Sequence, residues 1–410
     1  MKKRFKEIMN REQGHSWLRR LIGSMGPMRP MRLIGLMGLL GLLGGCSGQE
    51  EVDEMAVTET TVEVMSCMTS YDEHVMATRA WIPPTTFLPY DVADKAIGIC
   101  LTQNGQEPKK GYLFKSSGKW RTDIELDAPA NYYLYGYAPH TPGMTCAISS
   151  SSTPGDNSAY RNGAVMTLDN VPSVTPSDVC VVIGATNGED DYKADADYSV
   201  TGLRRGNFDY QAKANQGAGA GGNYIYLLFD HLYAALSFSI RVHSDYAALR
   251  TIKLKELQVE TSAGDEPTTE KTCITITLNK TLDGSDPIES IVFTPKGASM
   301  SAATVFASSA GELLSMSPSV YQCQFMPRGI TKIKLTSTYD VYDKNPSDGH
   351  PEGNLLRKDC KATNTFSLSL FDQQTEFLRG RRYTINLTIQ PTYLYVLSEP
   401  DLNSPTVTVE

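Results

Sequence analysis

Polar and apolar residues alternate along most of this chain. Leu236, Phe238, Ile240 and Val242 are interleaved with Ser237, Ser239 and Arg241. The same rhythm runs through Ile274, Ile276 and Leu278, through Phe366, Leu368 and Leu370, and through Ile385, Leu387 and Ile389. Successive side chains of a strand point to opposite faces, so each segment reads as a strand with one buried and one wet face. Ile252, Leu254, Leu257 and Val259 keep the pattern with a one-residue slip near Lys255-Glu256, which predicts a β-bulge. Further strands are expected at 96–101, 112–114, 132–137 and 179–183. Helical periodicity is scarce, and Asp245–Leu249, with Asp245 as cap, is the one short turn predicted. Many short strands broken by Gly, Pro, Asn and Ser predict an all-β protein of β-sandwich architecture.

Two tracts break the rhythm. Residues 141–163 are rich in Ser, Thr, Pro and Gly, and residues 187–222 carry acids followed by a Gly/Ala run; both read as loops. The expected organisation is a leader at 1–45, a tether at 46–79, an N-terminal sandwich at 80–228 and a C-terminal sandwich at 229–410. Each sandwich is long enough to bury its own core.

The leader has a basic flank, including Lys2, Lys3, Arg4, Arg19 and Arg20, then an apolar run from Leu33 to Leu43. That run falls short of the roughly 20 residues a membrane-spanning helix needs, so it reads as a secretory signal. Leu43-Gly44-Gly45-Cys46 looks like a bacterial lipobox, which makes Cys46 the lipidated first residue of the mature chain and the expected membrane attachment. The polar stretch after it, Ser47 to Glu51, reads as a tether.

Residues 46–410 hold 29 Lys and Arg against 44 Asp and Glu. An acidic body of that kind argues against nucleic acid as a partner. Motifs of catalysis are missing: there is no G-x-S-x-G, no H-E-x-x-H, and no Cys obviously paired with a His. Gly217, Gly219 and Gly222 satisfy G-x-G-x-x-G, but polar residues precede them where a dinucleotide site needs a strand. The acids Asp190, Asp191, Asp195 and Asp197 lack EF-hand spacing and read as a solvated loop. His231 reads as a structural histidine at a strand entry, and Cys180 and Cys273 as small buried hydrophobes. No catalytic residue, metal site or cofactor is expected, and the chain is read as a non-enzyme. A disulfide or two among the cysteines is left open.

Several segments, taken in order, resemble the fimbrillin family of pilus lipoproteins from Bacteroidia. They are the lipobox at Cys46, Ala77-Thr-Arg-Ala80 ahead of Ala96-Ile-Gly-Ile99 and Gly118-Lys-Trp120, Tyr133-Leu-Tyr-Gly-Tyr-Ala-Pro139, Phe229-Asp-His-Leu-Tyr-Ala-Ala-Leu-Ser-Phe238, and Gly380-Arg-Arg-Tyr-Thr-Ile-Asn-Leu387. The resemblance implies two transthyretin-like, Greek-key sandwich domains. It also implies export as a lipoprotein, cleavage after a basic residue, and head-to-tail assembly in which a neighbour's C-terminal strand replaces a removed N-terminal one. On this chain the removable strand falls at Thr60–Val64. Cleavage falls between Arg79 and Ala80, Arg79 being the only Lys or Arg between Cys46 and Lys95. The donor strand falls at Thr406, Val407, Thr408 and Val409. The partners implied are other fimbrial subunits, the outer membrane through the lipid, and a host or bacterial surface receptor. The alternatives are a monomeric surface lipoprotein that binds glycan, or a tip or anchor pilin that does not polymerise.

Overall fold

The computed structural model describes residues 60–61, 63–69, 81–82, 96–126, 130–150, 160–186, 206, 208–212, 224–280, 286–345, 352–371, 375–391, 400–401 and 406–409. Along 60–69, 81–82, 400–401 and 406–409 the description is of the backbone. Cys46, Arg79, Ala80, the acids at 190–197 and the glycines at 217–222 lie outside the described residues.

The protein is all-β. In chain order the strands are β1 (Thr60–Thr61), β2 (Glu63–Thr69), β3 (Trp81–Ile82), β4 (Ala96–Thr102), β5 (Lys109–Ser116), β6 (Lys119–Thr122), β7 (Ala130–His140), β8 (Thr145–Ser150), β9 (Gly163–Pro172), β10 (Val174–Thr175), β11 (Cys180–Thr186), β12 (Asp209–Ala212) and β13 (Tyr224–His231). They continue as β14 (Ala234–Val242), β15 (Arg250–Ala263), β16 (Glu266–Pro267), β17 (Thr269–Asn279), β18 (Ile288–Ser299), β19 (Ala303–Leu314), β20 (Ser319–Phe325), β21 (Lys332–Asp343), β22 (Leu355–Ser367), β23 (Arg382–Pro391), β24 (Pro400–Asp401) and β25 (Thr406–Val409). A short helix, α1 (Ser244–Leu249), follows β14. Its cap is His243 rather than Asp245: the His243 ring nitrogen accepts a bond from the Asp245 N–H, one of the donors a helix start leaves unsatisfied.

The strands form four sheets. The first runs β1-β6-β5-β4-β7-β11-β13-β2-β3, with β12 also on β7. β1 and β2 are separated by one residue of sequence, yet they pair at opposite ends of this order, β1 with β6 and β2 with β13. The N-terminal segment therefore closes the sheet on itself. Ile97, Ile99, Leu101, Leu113, Leu134, Leu227 and Phe229 fill its interior. The opposite face is buried too, through Tyr135, Tyr137, Val181, Ile183, Tyr226 and Leu228. Burial on both faces is why Val179–Ile183 reads as an unbroken apolar run rather than an alternating one.

The second sheet runs β10-β20-β14-β23-β24, with β25 also on β23. The third runs β16-β15-β21-β22, with β19 on β15. In the second sheet Leu236, Phe238 and Ile240 on β14 are buried, as are Tyr383, Ile385 and Leu387 on β23. In the third, Ile252, Leu254, Leu257 and Val259 are buried, and the expected slip is a bulge: Leu254 pairs with Tyr339, whereas Glu256 pairs with Thr338.

The fourth sheet, β18-β17-β9-β8, takes β8 and β9 from before residue 229 and β17 and β18 from after it. Ile274, Ile276, Met166 and Leu168 turn inward from it to the core that also holds the outer face of the first sheet. The two halves of the chain thus share a sheet, and the division expected at 228/229 falls inside β13. At the start of β9, Gly163 has φ +134, and a Cβ there would meet the Leu278 carbonyl oxygen at 2.0 Å, so only glycine lets β9 lie this close to β17.

Both tracts read as loops contain strands. Within 141–163, β8 places partly buried Cys146 and Ile148 among Thr145, Ala147 and Ser149, and the small polar neighbours mask the alternation. Within 187–222, Phe208, Tyr210 and Ala212 are buried and alternate with Asp209 and Gln211 along β12. Cys273 also departs from expectation. Ile274 takes the inward position of β17, which turns Cys273 to the opposite, half-buried face.

Candidate assembly interface

The first candidate surface is the edge that β2 covers. β13 pairs antiparallel with β11 on one side and parallel with β2 on the other, from Tyr224 opposite Glu63 to Phe229 opposite Met68. β3 pairs with β2 through Thr69 opposite Trp81. The strand expected at Thr60–Val64 is thus divided: Thr60–Thr61 pairs with β6 as β1, and Glu63 opens β2, which runs on to Thr69. A hairpin partner is held by its own turn, whereas β2 reaches β13 without one and is joined to it by main-chain pairing. An unpaired β13 edge would be a row of free N–H and C=O groups, ready to template another strand. Its inward side chains are Ile225, Leu227 and Phe229, all buried. The segment 70–80, which contains Arg79, links β2 to β3 in sequence.

The second surface is at the other end of the chain. β25 pairs antiparallel with β23, from Asn386 opposite Thr406 to Tyr383 opposite Val409. β23 is paired on its other side with β14, in parallel register. The four residues expected to act as donor therefore lie on the rim of the second sheet, whereas β13 belongs to the first.

A buried polar junction at the end of β13 is one that sequence reading missed. The β11–β13 register sets Cys180 opposite His231. His231 Nδ1 lies 2.7 Å from Asp178 Oδ2 and 3.9 Å from Cys180 Sγ. Asp178, Cys180 and His231 are the one group of three potential metal donors gathered this closely among the described residues. All three are buried, and the His–Asp contact already joins two of them, so the cluster reads as a packed polar contact within the core. Burial, then the Asp178 charge, pushes the Cys180 thiol well above its ordinary range, which keeps it from acting as a nucleophile. His231 ends β13 rather than entering a strand.

The adjacent Asp230 receives Arg379. One guanidinium nitrogen donates to Asp230 Oδ2 at 3.1 Å and to the His231 carbonyl at 3.0 Å, and the other donates to Asp286 Oδ2 at 3.4 Å. Gly380 N–H donates to the Tyr233 carbonyl, and Ala235 N–H to the Arg381 carbonyl. The segments 229–238 and 380–387, distant in sequence, thus dock on one another. The only sequence hint was that both carry charge beside apolar runs. Replacing Arg379 by Ala removes the guanidinium beside Asp230, whose side chain is 1% exposed. The expected cost is about 3 kcal/mol in urea unfolding, partly recovered by adding Asp230→Asn. A loss under ~1 kcal/mol would show that the pair contributes little.

No protein-family model matches the chain, and no curated protein matches it. Solved structures do. A candidate cell adhesion protein from Bacteroides uniformis is 12% identical, with 87% of this chain and 98% of that one covered and a TM-score of 0.33. A fimbrial protein from Bacteroides vulgatus is 11% identical, with 86% and 98% covered and a TM-score of 0.32. The tip fimbrial protein of Porphyromonas gingivalis, truncated at its C-terminus, is 6% identical, with 86% and 98% covered and a TM-score of 0.27. These are fimbrial and adhesion proteins, the kind that the sequence segments resemble.

Proposed function

We propose that this chain is a fimbrillin-like pilus subunit, exported as a lipoprotein through Cys46, cut after Arg79, and joined head to tail by strand exchange in a fibre that serves surface adhesion. The observation that carries this reading is the place of β2. It is the strand that closes the first sheet along β13, and it is tied to the body through a segment that holds the only basic residue between Cys46 and Lys95. A cut after Arg79 releases β1 and β2 with the tether. The β13 edge then offers main-chain bonds along its length, and the space beside Ile225, Leu227 and Phe229 receives alternate side chains of an incoming strand. The C-terminal Thr406-Val-Thr-Val409 has the matching period of two. Acceptor edge and donor strand belong to different sheets of one chain, so each exchange joins unlike surfaces, and such contacts extend as a filament when they do not close into a ring.

A surface location and association with other fimbrial subunits accord with the fimbrial and adhesion proteins among its structural neighbours. Among the described residues no helix is long and apolar enough to cross a membrane.

The test is mild trypsin treatment of the secreted, unlipidated chain, followed by N-terminal sequencing and native electrophoresis. A single early cut that leaves Ala80 at the N-terminus, followed by a ladder of multimers, is expected. Earlier nicking within the body, or a clipped chain that stays monomeric, would overturn the strand-exchange reading.

A further inference from the structure

Cys100 on β4 and Cys146 on β8 come together from two different sheets. Their sulfurs are 3.8 Å apart. A disulfide needs about 2.05 Å, and a change of χ1 rotamer moves a sulfur far enough to cover the difference. Cys100 faces outward from the first sheet, opposite to Ile97, Ile99 and Leu101, and it is buried in the core shared with the fourth. Cys146 is half-buried and borders a hollow of about 180 Å³ lined also by Lys110, Tyr112, Tyr137 and Met144. Cys100 lines the same hollow and is the more deeply buried of the two thiols.

We propose that Cys100 and Cys146 form a disulfide by exchange with an external low-molecular-weight disulfide such as oxidised glutathione, and that this bridge pins β8 to the first sheet. Among the described strands β8 is the end strand of its sheet, paired with β9. The bridge would tie it to the first sheet as well. It would also close a loop between residues 46 apart in sequence, which restricts the unfolded chain.

The order of attack follows from the surroundings. A hydrogen bond from the Cys100 thiol favours the Cys146 thiolate, and, against the cost of burial, the Lys110 ammonium favours it too. Lys110 Nζ donates to the Cys146 carbonyl at 3.1 Å, which fixes that charge nearby. The Cys100 thiol is pushed the other way, first by the same hydrogen bond and then by burial. Cys146 thiolate therefore attacks the reagent: a Cys146–S–S–R bond forms, the reagent's own S–S bond breaks, and one RS⁻ leaves and takes a proton. Cys100 then loses its proton to water and attacks the Cys146 sulfur, and the second RS⁻ departs. The two protein thiols are oxidised and the reagent disulfide is reduced to two thiols.

The experiment incubates the reduced, full chain with oxidised glutathione, counts thiols under denaturing conditions, and maps peptides by mass spectrometry. A loss of two thiols per chain, a peptide pair joined through Cys100 and Cys146, and a melting temperature raised by several degrees are expected. Cys146→Ser should abolish the joined pair and the rise. Cys100→Ala should leave glutathione trapped on Cys146. The wild-type map needs no variant, so it decides the matter even if C100A fails to fold. Both thiols staying reduced in the folded chain, or Cys146 joined to Cys273 instead, would overturn the bridge. Glutathione trapped on Cys100 in C146S would overturn the order of attack.

Discussion

Arg79→Gln is expected to leave the secreted chain monomeric after trypsin treatment under conditions in which the wild type forms a ladder. Trypsin requires Lys or Arg, and no other basic residue lies between Cys46 and Lys95, so the substitution removes the only cut that frees β1 and β2 as a unit. The β13 edge then stays paired along Tyr224 to Phe229, and an incoming strand would have to displace β2 rather than fill a vacancy. The free energies set the size of the effect. Each main-chain bond is worth about 1 kcal/mol net, so a four-residue donor gains little over a strand already in place. Once that strand is cut away the whole gain favours association. Native electrophoresis reads an all-or-none difference. An Arg79→Gln chain that multimerises as fast as the wild type would show that assembly does not depend on this cut.

Deletion of residues 406–410 is expected to separate folding from assembly. In the monomer β25 is a four-residue rim strand on β23, and losing it removes a few ladder bonds at an edge whose other side is held by β14. The expected cost to unfolding is about 1–3 kcal/mol. Assembly should be lost completely, because the shortened subunit keeps an acceptor edge and has no donor. Mixing labelled, trypsin-clipped shortened subunits with clipped wild type gives the sharper reading: the shortened chain should cap growth at one end and shorten the ladders. If shortened subunits alone form ladders like the wild type, Thr406–Val409 is not the donor, and β25 is only a rim strand of its own sheet.

The contrast between what could be read early and what could not is plain in particular elements. Ile252 to Val259 showed both a strand and its bulge, because a one-residue slip in a period of two is visible in one dimension. β12 escaped notice although Tyr210 and Ala212 alternate with Asp209 and Gln211, because two pairs of residues amid acids and glycines are too short a signal. The joining of β9 to β17 escaped because the two strands are about a hundred residues apart and each reads as an ordinary half-buried strand. The meeting of Cys100 with Cys146 and of Arg379 with Asp230 depends on strand order, about which spacing carries no information.

From the sequence alone follow the all-β class, the faces of most strands, the isolation of Arg79 and the alternating tail. These are properties of neighbours along the chain, and side-chain parity and local charge express them directly. Only the tertiary structure decided that the N-terminal segment closes the first sheet along β13, that the halves share a sheet, and that the two thiols face each other. A period of two says which way a side chain points. It does not say which strand lies alongside, since any strand can pair through the same backbone groups until packing selects one.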